Sequence, residues 1–435
     1  MVVFLLVLVV VLALLGAVHW YVWRRLVRDT TAPGGLPRRL GTAAVVALPL
    51  LSVAALVSSR AGAPFVLQQA VAWPGFLWLA VLLYLVLALL VGEAVRPFLR
   101  AWARRRAAEP VPLPVPASVT APPERPAAAE PVPGRTVPER PAAAESVPGK
   151  PVPEPSGPTD PSRRLFVSRV VAGSAAAVAL GTVGYGTYGV LRGPRVKRVT
   201  VPLAKIPRAA HGYRIAVVSD IHLGPILGRA HTQRIVDAIN ATQPDLIAVV
   251  GDLVDGTVEN LGPAAEPLAR LRARHGSFFV TGNHEYFSGA DAWVDHVREL
   301  GLRPLRNARV EIPAGFDLAG VDDVAGESEG RGPDFARALG DRDRARAAVL
   351  LAHQPIVVHD AVRHGVDLQL SGHTHGGQLW PGNYLAELAN PTVAGLERYG
   401  DTQLYVSRGA GAWGPPVRVG APSDITIVEL ASKQA

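Results

Sequence analysis

Apolar and polar positions divide this chain into two halves with different periodicities. In the first half, apolar runs follow one another with no polar face, at residues 2–23, 41–57 and about 75–95, the last charged only at Glu93 near its end. Runs of this length match the roughly 20 residues that an α-helix needs to cross a bilayer core, so each is read as a membrane span. A fourth charge-free run, 170–191, is rich in Ala, Gly and Val. From about Val199 onward the pattern changes. Short apolar runs at 214–219, 245–250, 277–280, 316–321, 347–351 and 368–370 read as strands, and amphipathic stretches at 229–241 and 290–300 read as helices. Strands alternating with helices predict an α/β domain over 199–435, with polar residues on loops at the carboxyl ends of the strands, where open sheets gather their sites.

Composition separates the two halves further. Residues 107–161 are rich in Pro, Ala and Glu and hold a near repeat, PERPAAAEPVPGRTV at 123–137 and PERPAAAESVPGKPV at 138–152. Such a stretch buries no core and reads as an extended linker. The expected organisation is a membrane region with three spans at 1–106, this linker, a fourth span at 162–192, and the α/β domain. The net charge of +8 suggests nucleic acid at first sight. Much of it, however, sits in arginine clusters beside the spans, at Arg24, Arg25, Arg28 and Arg104 to Arg106, where membrane topology explains it; no nucleic-acid binding is expected. The loop between spans two and three holds only Arg60. Positive charge inside places the N-terminus outside, residue 100 in the cytoplasm and, after the fourth span, the α/β domain on the extracytoplasmic face. The basic residues Arg192, Arg195, Lys197 and Arg198 oppose that orientation.

Ser162-Arg163-Arg164-Leu165-Phe166-Val167 before the fourth apolar run resembles a twin-arginine export signal, which makes the export machinery an expected partner; two anchor arginines before an ordinary span is the plainer reading. The chain has no cysteine, so any metal must be held by His, Asp, Asn or Glu.

Five short polar blocks carry the chemistry: Asp220-Ile221-His222, Gly251-Asp252-Leu253-Val254-Asp255, Gly282-Asn283-His284-Glu285, His353, and Gly372-His373-Thr374-His375-Gly376-Gly377-Gln378. Carboxylate, imidazole and amide oxygen suit hard or borderline divalent ions. Asp220 and His222 can share an ion if the loop is extended, since alternate residues then share a side. Asp252 can bridge two ions, and Asn283 binds a cation without adding charge to a site that accepts phosphate. The glycines at 372, 376 and 377 would let backbone approach substrate closely. Asp322 and Asp323, an acidic pair after a strand, read as a solvated loop, and His231, His275, His296, His359 and His364 read as structural.

The five blocks, in order, resemble the motifs DxH, GDxxD, GNH[DE], H and GHxH of the calcineurin-like metallophosphoesterase superfamily, over about 199–430. That resemblance implies a metallophosphoesterase-like α/β fold, a four-layer αββα sandwich of α+β type. It further implies that Asp220, His222, Asp252 and His375 hold one metal, that Asp252, Asn283, His353 and His373 hold the other, that His284 protonates the leaving oxygen, and that Asp255 supports the ligands from behind. The Gly-Gly-Gln after His375, Trp380-Pro381, and the tail with Tyr405 to Gly409 and Gly414-Pro415-Pro416 resemble a narrower bacterial branch, the YkuE-like proteins, whose members are membrane-associated or exported.

The expectation is a phosphoesterase with two divalent ions, Mn, Zn or Fe. Hydroxide bridging the ions would attack a phosphomonoester, phosphodiester or pyrophosphate in line. The substrate expected is a phosphate ester of the envelope, lipid-linked, with membrane lipid as a second partner. A membrane-anchored receptor or scaffold that binds metal without turnover is the competing expectation, and the intact His284 argues against it.

Overall fold

The computed structural model describes residues 2–107 and 161–433, so the linker expected at 107–161 lies almost wholly outside the described residues. Among the described residues, four helices are long and apolar enough to cross a membrane. They are α1 (Val2–Trp23), α2 (Leu36–Ser58), α3 (Phe65–Ala107) and α4 (Pro161–Leu191). The second begins ahead of the expected residue 41 and the third ahead of residue 75. The extra turns of α3 are held by the α/β domain: Phe65 packs on a core cluster of that domain. Helices α2 and α3 cross closely at Gly75. There the Ser52 hydroxyl donates to the Gly75 carbonyl at 2.7 Å, and a Cβ on Gly75 would strike the backbone of Leu51.

Charged groups gather at one end of this bundle. Arg25 pairs with Glu93 at 2.9 Å and Arg96 pairs with the same carboxylate at 3.2 Å. Arg38 and Arg169 reach the Arg28–Thr31 turn from α2 and α4. At the other end lie the α2–α3 loop and the α/β domain. Helix α4 is part of the packed fold, because Val171 fills the space beside Gly92 and Gly186 abuts Val417 and the backbone of Arg418.

The domain is built on two six-stranded sheets. The first, in the order β1 (Arg195–Leu203), β12 (Asp424–Ser432), β2 (Tyr213–Val218), β3 (Leu246–Val250), β4 (Ser277–Val280) and β5 (Arg303–Pro304), is parallel except where β12 meets β2. The second runs β10 (Gly395–Tyr399), β11 (Thr402–Val406), β9 (Leu368–Ser371), β8 (Ala347–Leu351), β7 (Phe316–Gly320) and β6 (Ala308–Ile312), with antiparallel hairpins at both edges. The chain therefore enters the domain at Arg195, ahead of the expected Val199.

Central strands such as Leu246–Val250 and Ala347–Leu351 are buried along their whole length. That is the burial expected of strands covered on both faces. Ile215, Val217, Val280, Leu318, Val349 and Leu370 from the two sheets share one cluster, so the sheets pack face to face. The outer face of the first carries α5 (Arg229–Ala241), α6 (Val258–Ala265) and α8 (Ala290–Glu299), through Ile235, Leu261 and Trp293. The outer face of the second carries α9 (Phe335–Leu339) and α10 (Val358–Arg363), through Leu339 and Ala361. This is the expected αββα sandwich. Two short helices remain, α7 (Asn283–Ser288) at the end of β4 and α11 (Gly382–Ala389) after the last histidine block.

Candidate metal centre

All five polar blocks follow strands: Asp220 and His222 follow β2, Asp252 and Asp255 follow β3, Asn283 and His284 open α7 after β4, His353 follows β8, and His373 and His375 follow β9. The two sheets thus point their loops at one place. Donor atoms of Asp220, His222 and His375 lie within 4.8 Å of one another, as do those of Asp252, His353 and His373. The two histidines of the last block fall in different groups. Asn283 joins the second group, its Oδ1 lying 3.0 Å from His373 Nδ1.

The backbone here is not extended, which corrects the reading of the Asp220–His222 loop. Asp220, His222, Asp252, His373 and His375 have φ of 51°, 48°, 53°, 72° and 53°. Non-glycine residues seldom adopt this left-handed region, and its cost is tolerated where surrounding structure holds a functional geometry. Five of the seven candidate ligands share it. The glycine reading is corrected too. A Cβ on Gly372 would collide with Asp220 Oδ2 and Ser219 Oγ, one on Gly376 would press on Arg408, and one on Gly377 would strike the backbone of Asn383. These glycines bring protein against protein.

The candidate ligands are oriented from behind. His222 Nδ1 donates to Asp255 Oδ1 at 3.0 Å, and His353 Nδ1 donates to the Val250 carbonyl at 2.9 Å, so each presents Nε2 to the centre. Such an outer bond fixes ring orientation and raises basicity. Asp255 Oδ1 also receives His284 Nδ1 at 2.6 Å, which leaves His284 Nε2 facing the cleft. The His284 and Asp220 positions are tied in by backbone: His284 N–H donates to Asp252 Oδ1 at 2.9 Å, and His373 N–H donates to Asp220 Oδ1 at 3.0 Å.

Charge is strongly coupled here. Burial disfavours the charged form of His222, but the carboxylates of Asp255, Asp252 and Asp220 outweigh it and push the ring up to about 9. Burial works against ionised Asp252 as well, yet His353 and His222 hold it well below the usual carboxylate range. His373 is pushed down to about 4 by burial and by the neighbouring His353. His375 falls well below its ordinary value through burial, His222 and Arg418.

Three buried groups around the centre escaped the sequence reading. Glu285 accepts three backbone N–H bonds, from Asp252 at 3.0 Å, Leu253 at 2.8 Å and Gly282 at 2.6 Å, and so ties the second block to the third. Its place in the GNHE block was visible; its task was not. Arg418 donates to the carbonyls of Gly411 at 2.7 Å and His375 at 3.0 Å, and its Nη2 lies 3.1 Å from His375 Nδ1. No local pattern marks it. Asp322 and Asp323 are 5% and 3% exposed, which overturns their reading as a solvated loop. Asp322 binds Arg306 Nε at 2.5 Å, and Asp323 receives Gln354 Nε2 at 2.9 Å directly after His353. Of the histidines read as structural, His231 is buried with neither ring nitrogen hydrogen-bonded, and His275 Nδ1 meets the Tyr213 hydroxyl at 2.7 Å.

The donors fit divalent ions. His353 Nε2 is buried without a hydrogen-bond partner although it lies 3.1 Å from Asp252 Oδ2, an arrangement that a cation between the two would satisfy. His222 Nε2 and His375 Nε2 likewise face each other at 3.0 Å beside Asp220. Cations held in such a pocket would set positive charge opposite a histidine that faces the cleft, a setting suited to binding an anionic ester. A family model described as calcineurin-like phosphoesterase matches residues 213–377, from β2 through the last histidine block. The chain belongs to this metallophosphoesterase family.

Among its relatives is a Danio rerio protein named transmembrane protein with metallophosphoesterase domain, 39% identical over 58% of this chain and 60% of that one. A Helicobacter pylori (strain J99) metallophosphoesterase is 36% identical over 63% of this chain and 74% of that one. YkuE of Bacillus subtilis (strain 168) is 28% identical over 62% of this chain and 98% of that one. The chain thus spans less than two thirds of the zebrafish protein's length.

Proposed function

We propose that the protein is a dinuclear metal-dependent phosphoesterase anchored by four membrane spans, with its catalytic domain on the extracytoplasmic face, acting on a phosphomonoester, phosphodiester or pyrophosphate of the envelope. The observation that carries this reading is the convergence of two donor groups on either side of Asp252. Asp220, His222 and His375 would hold one ion, Asn283, His353 and His373 the other, and Asp252 would bridge them. Divalent ions bound there supply positive charge to the phosphoryl oxygens and lower the pKa of water for attack on phosphorus.

The chain's own residues do the rest. Asp255 holds His222 and His284 in register through one oxygen, and His284 Nε2 gives a proton to the leaving oxygen as the P–O bond breaks. The buried Arg418 offsets the negative charge of Asp220 from beneath His375. The orientation rests on the positive-inside rule, with Arg25, Arg28, Arg38, Arg39 and Arg96 at the end of the bundle away from the domain.

The test uses the full-length protein in detergent or proteoliposomes. Mn²⁺-loaded protein should hydrolyse an aryl phosphate or a bis-aryl phosphodiester, with two metal equivalents per chain. A folded, metal-loaded protein without turnover would favour the receptor reading. Protease or tag accessibility in intact cells checks the orientation.

A further inference from the structure

The cleft in front of the donor groups is not closed by the α/β domain alone. It is a cavity of about 810 Å³, with His222, Asn283, His284 and His373 on one wall and Ala55, Leu56, Arg60, Phe76 and Leu79 of α2, α3 and their loop on the other. A soluble phosphate ester has no need of a wall made from membrane helices.

Depth can be read along the helices. Glu93 marks the charged end of the bundle, where Arg25 and Arg96 pair with it. At about 1.5 Å per residue, Leu79 and Phe76 lie roughly 21 and 26 Å above Glu93 on α3, and Leu56 lies roughly 27 Å above Arg38 on α2. A hydrocarbon core is about 30 Å thick. The apolar wall therefore lies just beneath the far interface, with Arg60 at headgroup level.

The domain reaches past this wall, deeper toward the charged end. Tyr84, about 14 Å above Glu93, donates its hydroxyl to the Trp380 carbonyl at 2.9 Å. Helix α11, which follows, has no buried residue, and its Leu385 and Leu388 are 72% and 84% exposed. Phe287 and Trp413, which flank the His284 ring at 5.5 and 5.6 Å, are exposed as well. Apolar and aromatic side chains at this level meet lipid without cost.

Resting on the hydrolase reading above, we infer that the substrate is a membrane lipid carrying a phosphate ester or diphosphate headgroup, and that it enters sideways from the leaflet. Its chain lies along Leu56, Phe76 and Leu79, its headgroup anion pairs with Arg60, and its phosphorus reaches the donor groups without leaving the membrane. Hydrolysis adds water across the P–O bond: the new P–O bond takes the water oxygen, and the departing oxygen takes the proton.

The experiment compares full-length protein, Leu56→Trp and Arg60→Ala in Mn²⁺-containing proteoliposomes. Substrates are a soluble aryl phosphate and vesicles of neutral lipid doped with phosphatidic acid, phosphatidylglycerol or a polyprenyl diphosphate. At least one doped lipid should be hydrolysed, at a rate set by its mole fraction in the membrane rather than its bulk concentration. Leu56→Trp should lower lipid kcat/KM at least tenfold more than aryl phosphate kcat/KM. Arg60→Ala should raise the interfacial KM about tenfold, about 1.4 kcal/mol, and more than it raises KM for the aryl phosphate. Aryl phosphate turnover with no lipid turnover, or with both substrates affected equally by Leu56→Trp, overturns sideways entry while the hydrolase reading stands. No turnover of either substrate by metal-loaded protein removes both.

Discussion

His284→Ala separates proton donation from every other contribution to this site. The imidazole is not in either donor group that includes Asp220 or His353, so both ions should still load. Its Nδ1 is engaged with Asp255 at 2.6 Å, and only Nε2 is free to face a leaving oxygen. A positioned acid contributes about 100- to 10,000-fold, which is about 2.7 to 5.5 kcal/mol of barrier. That whole amount applies only when the leaving oxygen needs a proton. With an alkyl phosphate His284→Ala should lose activity in that range. With a nitrophenyl phosphate, whose anion departs unaided, the loss should shrink to about tenfold or less. The assay is kcat for both ester types on protein whose metal content has been measured by plasma spectrometry. Equal losses on the two esters at full metal loading would refute the assignment of His284 as the acid and make it a group that binds phosphate.

Four further outcomes are expected. Chelation should abolish turnover and Mn²⁺ should restore it, since removing the ions removes the charge that lowers the pKa of the attacking water; activity that survives measured metal removal refutes the metal mechanism. Gly372→Ala, which changes no ligand, should lower metal content as severely as loss of Asp220, because its Cβ would displace that carboxylate; wild-type loading would show that the loop adapts. Arg418→Ala leaves the carbonyls of Gly411 and His375 unpaired in a buried site, so thermal unfolding should report a loss of about 3 kcal/mol, and Arg418→Lys should not restore it, lacking the guanidinium fork. His231 is held down to about 4 by burial, then by Arg234 and Arg418. The unfolded chain binds a proton near pH 6.5 that the folded protein refuses. Stability is therefore full above about pH 6.5 and is lost as pH falls towards 4, by at most about 3 kcal/mol; His231→Leu should flatten that acid limb in thermal unfolding, and an unchanged limb would assign it elsewhere.

Elements with strong apolar periodicity were legible, whereas the edge-hairpin strands Ala308–Ile312, Gly395–Tyr399 and Thr402–Val406 were not. Ser277–Val280, Ala347–Leu351 and Arg229–Ala241 lie where the periodicity puts them. Strand β12 was not, because it comes from the last residues of the chain and inserts between β1 and β2, a placement that only distant pairing decides. The same division runs through the site. Ligand identities stood in the five blocks, since metal chemistry restricts residue type. The left-handed backbone at Asp220, His222, Asp252, His373 and His375 did not, because any L-residue reading assumes the commoner regions.

The strain at those five positions also explains why the surrounding polar groups are buried rather than solvated. Loops carrying several residues in a disfavoured conformation relax unless other bonds hold them. Glu285 ties the Asp252 loop to the Asn283 turn through three amides, Arg418 pins the His375 turn through its carbonyl, and Asp323 clamps Gln354 beside His353. Each of these groups sits one step behind a candidate ligand, and beside a local bond, from Gly282 N–H to Glu285, from Ala325 N–H to Asp323 or from Arg418 to the Ala421 carbonyl, each makes the distant contact that no sequence spacing could expose. They were misread or passed over because an acidic pair or an arginine after prolines is usually solvent-facing. Here the energy of holding ligands in place ahead of any metal has turned them inward.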